Sequence, residues 1–316
     1  MSDEPLTGSN GGFVLCAGRC GSTLVSRVLA LHPDVLSLSE FFASLAPDAF
    51  PAGPISGDKF WSMLAARTGF VNQLLRVSAE PPEILYPVDD DEHRFDRAGG
   101  VPCIATVTLP TLSSDPDALY DRLAETVPGF GEQVAIQHYL ELFSLLGGWL
   151  GKSCWVERSG PSGFFAEQIV TGFPDARYVH LTRDQDAAAL SMSRHSGFRL
   201  IALWLEFLNR LGIDILSGEP PAEKIPPDLE NLVPHRFSKE TLENWDPGIE
   251  LFQQMVSFQT DWIGAALKPL PPEQVLVLSY EDLVDQPVAE FGRLAEFFGL
   301  DDTAGWSRQA AALVRR

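Results

Sequence analysis

Basic residues are scarce in this chain. Its 23 lysines and arginines stand against 43 aspartates and glutamates, for a formal net charge of −20. A surface that acidic repels polynucleotides and anionic membranes, so nucleic-acid binding is not expected, and a bound anion must be small and met by a local positive pocket. Long apolar runs are missing too, and none approaches membrane-spanning length. The first ten residues, MSDEPLTGSN, are polar and acidic. No signal peptide is therefore expected, and the expected location is the cytoplasm. Cysteines number four, at positions 16, 20, 103 and 154, without metal-ligand spacing; reduced thiols and no bound metal are expected. No repeat or low-complexity tract occurs. Hydrophobic content of 45% over 316 residues is enough for one large core.

Acid is wholly absent from Phe13 to Pro33, where the only charged residues are Arg19 and Arg27. In this segment Phe13–Ala17 reads as an apolar strand and Ser22–Leu31 as an amphipathic helix, joined by Gly18-Arg19-Cys20-Gly21. Glycines at 18 and 21 let successive amides converge on one point. The helix start adds unpaired N–H groups, a positive dipole end and the hydroxyls of Ser22 and Thr23. That combination binds phosphate-like anions. It is not a Walker A loop, because Gly21 stands before Ser22 where that motif needs lysine. An ordinary β-α turn rich in small residues is the plain alternative.

A second basic island holds Arg177, Arg183, Arg194 and Arg199 against Asp184 and Asp186. Residues 177–182 read as a buried strand and Asp184–His195 as the helix after it. Arg183 falls at the strand's carboxyl end, where open α/β sheets bind ligands. Ser191, two helical turns on, is placed to reach the same anion.

Three stretches occur in a familiar order. AGRCGSTL followed by HPDVLSLSEFF resembles the 5′-phosphosulfate loop and next strand of the sulfotransferases that use 3′-phosphoadenosine-5′-phosphosulfate (PAPS). FPDARYVHLTRDQDAAALSMSRH resembles their 3′-phosphate motif, and VLVLSYEDLVDQP their later strand and short helix. The resemblance implies PAPS as co-substrate without a metal, and a P-loop-like α/β fold of three layers with a mainly parallel sheet flanked by helices. It implies that Gly18, Arg19, Cys20, Gly21, Ser22 and Thr23 hold the 5′-phosphosulfate, and Arg183 with Ser191 the 3′-phosphate. It further implies Glu40 as general base, with Arg19 and Arg158 acting on the transferred group; His138 or His195 are alternative bases. Gln185 stands where the family has proline, and Cys20 where it often has serine. No Gly-x-x-Gly-x-Trp-Lys segment occurs near the carboxyl end, so adenine contacts are not assigned; Arg308, Arg315, Arg316 and Trp306 lie in that tail. The acceptor is a hydroxyl of a small molecule, glycolipid or peptide. A kinase-like phosphotransferase and a non-catalytic nucleotide-binding module are the rival readings.

The remaining pattern divides the chain into a flexible segment over 1–12 and one domain over 13–316, with insertions at about 47–100 and 212–244. Strands are expected at Val35–Leu38, Val101–Thr108, Ser153–Glu157 and Val275–Ser279. Helices are expected from Glu40 and at Lys59–Val77, Asp117–Thr126, Gln133–Leu150, Pro161–Thr171, Gly248–Leu267 and Pro287–Phe298. The proline-rich, acidic 212–244 stretch is expected to be loop and, with the first insertion, to recognise the acceptor. Phe41, Phe42, Trp61, His138, Phe198 and Trp204 are candidates for the acceptor cavity, with core packing as the alternative.

Overall fold

A computed structural model describes residues 7–67, 69–215, 225–233, 236–301 and 305–314. The strands are β1 (Gly11–Leu15), β2 (Val35–Ser39), β3 (Pro54–Ile55), β4 (Gln133–Val134), β5 (Cys154–Arg158), β6 (Arg177–Thr182) and β7 (Val275–Ser279). Five of them form one parallel sheet in the order β2-β5-β1-β6-β7, while β3 and β4 make a separate antiparallel pair. Helices cover both faces, giving the expected α/β arrangement of three layers. A parallel sheet so covered needs strands that are apolar throughout, and every residue of β1, β2 and β5 is buried.

Side chains alternate across β1. Phe13 and Leu15 enter a core with Phe41, Phe42, Tyr139, Phe143 and Trp155, while Val14 and Cys16 enter the opposite one. The helix Ser22–Ala30 buries Val25, Val28 and Leu29 in that second core. Their i, i+3, i+4 spacing makes one apolar stripe, and each side chain stabilises the packing by about 1.5–3 kcal/mol. The crossover from β1 to β2 passes over β5, and β6 lies on the other side of β1. The carboxyl end of β1 is therefore a topological switch point, flanked by the ends of β5 and β6.

Several expectations are corrected. Val101–Thr108 is not a strand; Cys103–Thr106 and Thr108–Leu112 are short helices, broken at Val107. A short apolar run has no period to separate strand from buried helix, and here burial on all sides decided nothing. The single helix at Lys59–Val77 is two, Gly57–Leu64 and Gly69–Arg76, with Gly69 at φ 86° in a conformation that ends a right-handed helix. Within 212–244, a 3₁₀ turn (Glu230–Leu232) and a capped helix (Lys239–Asn244) replace part of the expected loop. They bury Leu229, Leu232, Val233, Phe237 and Leu242 against Leu200, Leu203 and Phe207. Those three belong to the helix Ser196–Leu211, to which the sequence reading gave no element. Strand β1 starts at Gly11, inside the segment expected to be flexible to residue 12. Residues 1–6, 216–224, 234–235, Arg315 and Arg316 lie outside the described residues.

Candidate active site

Three backbone carbonyls fasten the loop after β1. Ser162 bridges the peptide of Cys16, accepting from its N–H at 2.8 Å and donating to its carbonyl at 3.2 Å. Gln259 donates to the Ala17 carbonyl at 3.1 Å, and Arg183 to that of Arg19 at 2.7 Å. Gly18, Arg19 and Gly21 take positive φ of 92°, 57° and 81°. With the carbonyls held, the amides are left over: no N–H from Arg19 to Leu24 finds an acceptor among the described residues, and Val25 is the first to be bonded, to Gly21. Such a row of uncommitted donors at a helix start is an anion cradle.

Arg183 and Ser191 both reach this loop, through Arg19. The Arg183 guanidinium lies 4.5 Å from the centre of the Tyr280 ring and holds the Arg19 carbonyl. Arg19 in turn donates from Nε to Ser191 Oγ at 3.1 Å. Its other arm meets a residue that the sequence reading missed, Glu83, at 2.8 Å. His195 donates from Nε2 to the second Glu83 oxygen at 3.1 Å, since its Nδ1 accepts from the Phe198 amide. Burial alone would raise the Glu83 carboxyl, but the hydrogen bond from His195 and the charge of Arg19 outweigh it, holding it down to about 2. The rest of the basic island is structural or exposed. Arg177 ties to the Phe298 carbonyl, Arg199 binds carbonyls of Ser193, Leu242, Glu243 and Trp245, and Arg194 is exposed.

The ends of β2 and β5 bring Glu40 and Arg158 together. Ser39 pairs with Arg158 in the parallel register, so the residue after β2 sits beside the end of β5. Glu40 accepts from Arg158 on one carboxylate oxygen and from the Gly160 amide on the other, at 2.9 Å. Its own N–H donates to the Arg158 carbonyl at 2.7 Å, ties that hold Glu40 at φ 53°, a left-handed conformation costly for a side-chain-bearing residue. Arg158 is 3% exposed, and a buried guanidinium needs a counterion. Neighbouring Glu157 is not that counterion. Burial pushes its carboxyl up to about 8 against the hydrogen bonds from Ser159 and Phe42, so it is neutral at pH 7.

That neutral acid has a consequence for stability. Its pKa is higher folded than unfolded, so its contribution is complete below about pH 4.5 and is lost as pH rises through 8. Wild type is expected to lose stability relative to Glu157→Gln across that window, by up to roughly 1.4 kcal/mol per pH unit. Urea midpoints of both proteins at about pH 5 and pH 8 check this; parallel shifts would show a carboxyl that ionises normally.

Arg19, Ser22, Thr23, Glu40, Arg158, Glu83 and His195 all line one cavity of about 260 Å³. Of the aromatic candidates, Phe198 and Trp204 line it. Phe41, Phe42 and His138 are core residues, and Trp61 packs against that core. His138 lies under Phe60 and bonds the Ile55 carbonyl. The first insertion supplies Phe70, Val71, Leu74, Pro81 and Ile84; the described part of 212–244 supplies nothing. Tyr280 is half-buried against the loop and Arg183, and Ser279 caps the helix after β7. Among the described residues no three metal-ligating side chains converge, and no helix is long and apolar enough to cross a membrane. All four cysteines are buried.

Residues 169–310 match the sulfotransferase domain family. Among solved structures, the sulfotransferase domain from the curacin biosynthetic pathway is similar at 16% identity and TM-score 0.50, over 96% of this chain and 77% of that one. The sulfotransferase domain from the Synechococcus PCC 7002 olefin synthase aligns at 15% identity and TM-score 0.48, over 96% and 78%. A sulfotransferase from Mycobacterium avium aligns at 16% and 0.45, over 98% and 68%. Among curated protein sequences no match is found. The matched segment begins before β6 and includes Arg183 and Ser191, so this part of the chain is similar to the sulfotransferase domain family, and the fold is similar to that of the curacin domain.

Proposed function

We propose that this chain moves the sulfuryl group of PAPS to a hydroxyl in the cavity beside the β1 loop, a reaction of the EC 2.8.2 class. The observation that carries the reading is the row of uncommitted amides from Arg19 to Leu24, opening on the same cavity as Glu40 and Arg158. The cradle suits the group. Its donors are backbone amides and the hydroxyls of Ser22 and Thr23, and methyls at Gly18 or Gly21 would collide with Phe198 or Tyr280. Arg183 with Ser191 would hold the 3′-phosphate, and Arg19 with the loop the 5′-phosphosulfate. When bound, PAPS supplies a sulfuryl group already activated on a phosphate leaving group. Arg158 neutralises charge at the reacting end, and the loop amides stabilise the leaving oxygens without reorganising. Glu40 accepts the hydroxyl proton. The free thiols of Cys16, Cys20 and Cys154 suit a reducing cytoplasm.

Melting temperature distinguishes this from a kinase-like function. Adenosine 3′,5′-bisphosphate at about 100 times its Kd is expected to stabilise by about 2.7 kcal/mol, roughly 5 °C or more, with little effect of ATP-Mg²⁺. Selective stabilisation by ATP-Mg²⁺ would overturn the assignment. Absence of product from PAPS across a broad hydroxyl panel would favour a binding module.

A further inference from the structure

We infer that the acceptor is a neutral molecule with one reacting hydroxyl on an apolar body, alkyl or aryl, and not a sugar or other polyol. This rests on the sulfuryl-transfer reading above and names the substrate class of the same site. Away from the cradle the cavity is walled by Phe70, Leu74, Ile84, Val107, Ile201 and Trp204. Such a wall rewards buried apolar area and offers polar atoms nothing.

The polar groups on that wall are already committed. Trp204 donates its indole N–H to Asp214 at 2.9 Å, so only its ring is presented inward. The Thr106 hydroxyl donates to the Cys103 carbonyl, which leaves Ser44 to donate to Thr106 at 3.1 Å. His195 is held between Glu83 and the Phe198 amide on its two ring nitrogens. Arg19 is taken by Glu83 and Ser191. A sugar entering here would trade several water-bonded hydroxyls for carbon neighbours, a penalty incurred at each unpaired group. Charge is balanced as well, Arg158 by Glu40 and Arg19 by Glu83, so these groups offer no unbalanced charge to a carboxylate or ammonium on the acceptor.

The test is a homologous series on the whole chain: ethanol, 1-butanol, 1-hexanol and 1-octanol, with glycerol and glucose as polyols. Product formed from PAPS is measured by mass spectrometry, and binding separately by quenching of tryptophan emission. Each buried methylene is expected to raise kcat/KM roughly fourfold until the cavity is filled. Octanol should exceed both polyols by at least about 100-fold. The variant Ile201→Asn should flatten the series while adenosine 3′,5′-bisphosphate affinity stays within about twofold, which shows that the fold survives. A flat series, or turnover of glucose equal to that of hexanol, overturns the inference and leaves sulfuryl transfer standing. Chain-length-dependent binding without product supports the apolar cavity and overturns the transfer reading. Absence of both product and length-dependent binding overturns the inference.

Discussion

Glu40→Gln is expected to lower kcat about 10²–10⁴-fold with an aliphatic alcohol as acceptor, while adenosine 3′,5′-bisphosphate binds as before. The glutamine is nearly isosteric, so the cavity keeps its volume, but it cannot take a proton. It also replaces one of two acceptor oxygens by an NH₂ donor, which then faces either Arg158 or the Gly160 amide, both donors themselves. The measured loss therefore mixes proton transfer with a disturbed ion pair, and one acceptor alone does not separate them. An acidic nitrophenol bearing an alkyl chain does, because it is already ionised near neutral pH and needs no base. If Glu40 is the base, the loss with that phenol shrinks to about tenfold or less. An equal loss with both acceptors would assign Glu40 to holding Arg158, and unchanged rates would remove it from the reaction.

What the sequence made legible is what lies close together along the chain. The strand, glycine loop and helix over residues 13–31 form one contiguous unit, and so do β6, Arg183 and the helix carrying Ser191; both are where local pattern placed them. Glu40 and Arg158 were each named as candidates, but their pairing follows from β2 lying beside β5, a neighbour relation across 118 residues that no local pattern contains. Glu83 was beyond reach for the same reason. It sits in an irregular proline-rich stretch, and its partners Arg19 and His195 are 64 and 112 residues away. The segment 101–108 failed differently. Its residues are apolar enough for either structure, and tertiary packing chose helix. Arginine counting overstated the second island, because a guanidinium serves backbone carbonyls as readily as ligands, and Arg177 and Arg199 do so.

The loop itself offers the other large effect. Gly21→Ala is expected to weaken adenosine 3′,5′-bisphosphate binding by about 100-fold or more and to cost about 1–3 kcal/mol of stability. Two causes add. At φ 81° an alanine pays the left-handed penalty that glycine avoids, and its Cβ would lie 2.4 Å from Tyr280 Cδ2, a distance no real contact holds. Tyr280 must then move, and its ring is the surface on which Arg183 rests. Arg183 in turn holds the Arg19 carbonyl, so one methyl disturbs the amide cradle and the cation beside it together. Adding Tyr280→Ala separates the causes: partial recovery of binding assigns the loss to the collision, and none assigns it to the backbone. Gly148→Ala serves as the control, since that glycine is helical with nothing within 4 Å of the new Cβ, and it should leave binding unchanged. Titration by calorimetry reads all four proteins. Wild-type affinity in Gly21→Ala would mean that the loop amides do not hold the nucleotide, and the proposed reaction would lose its site.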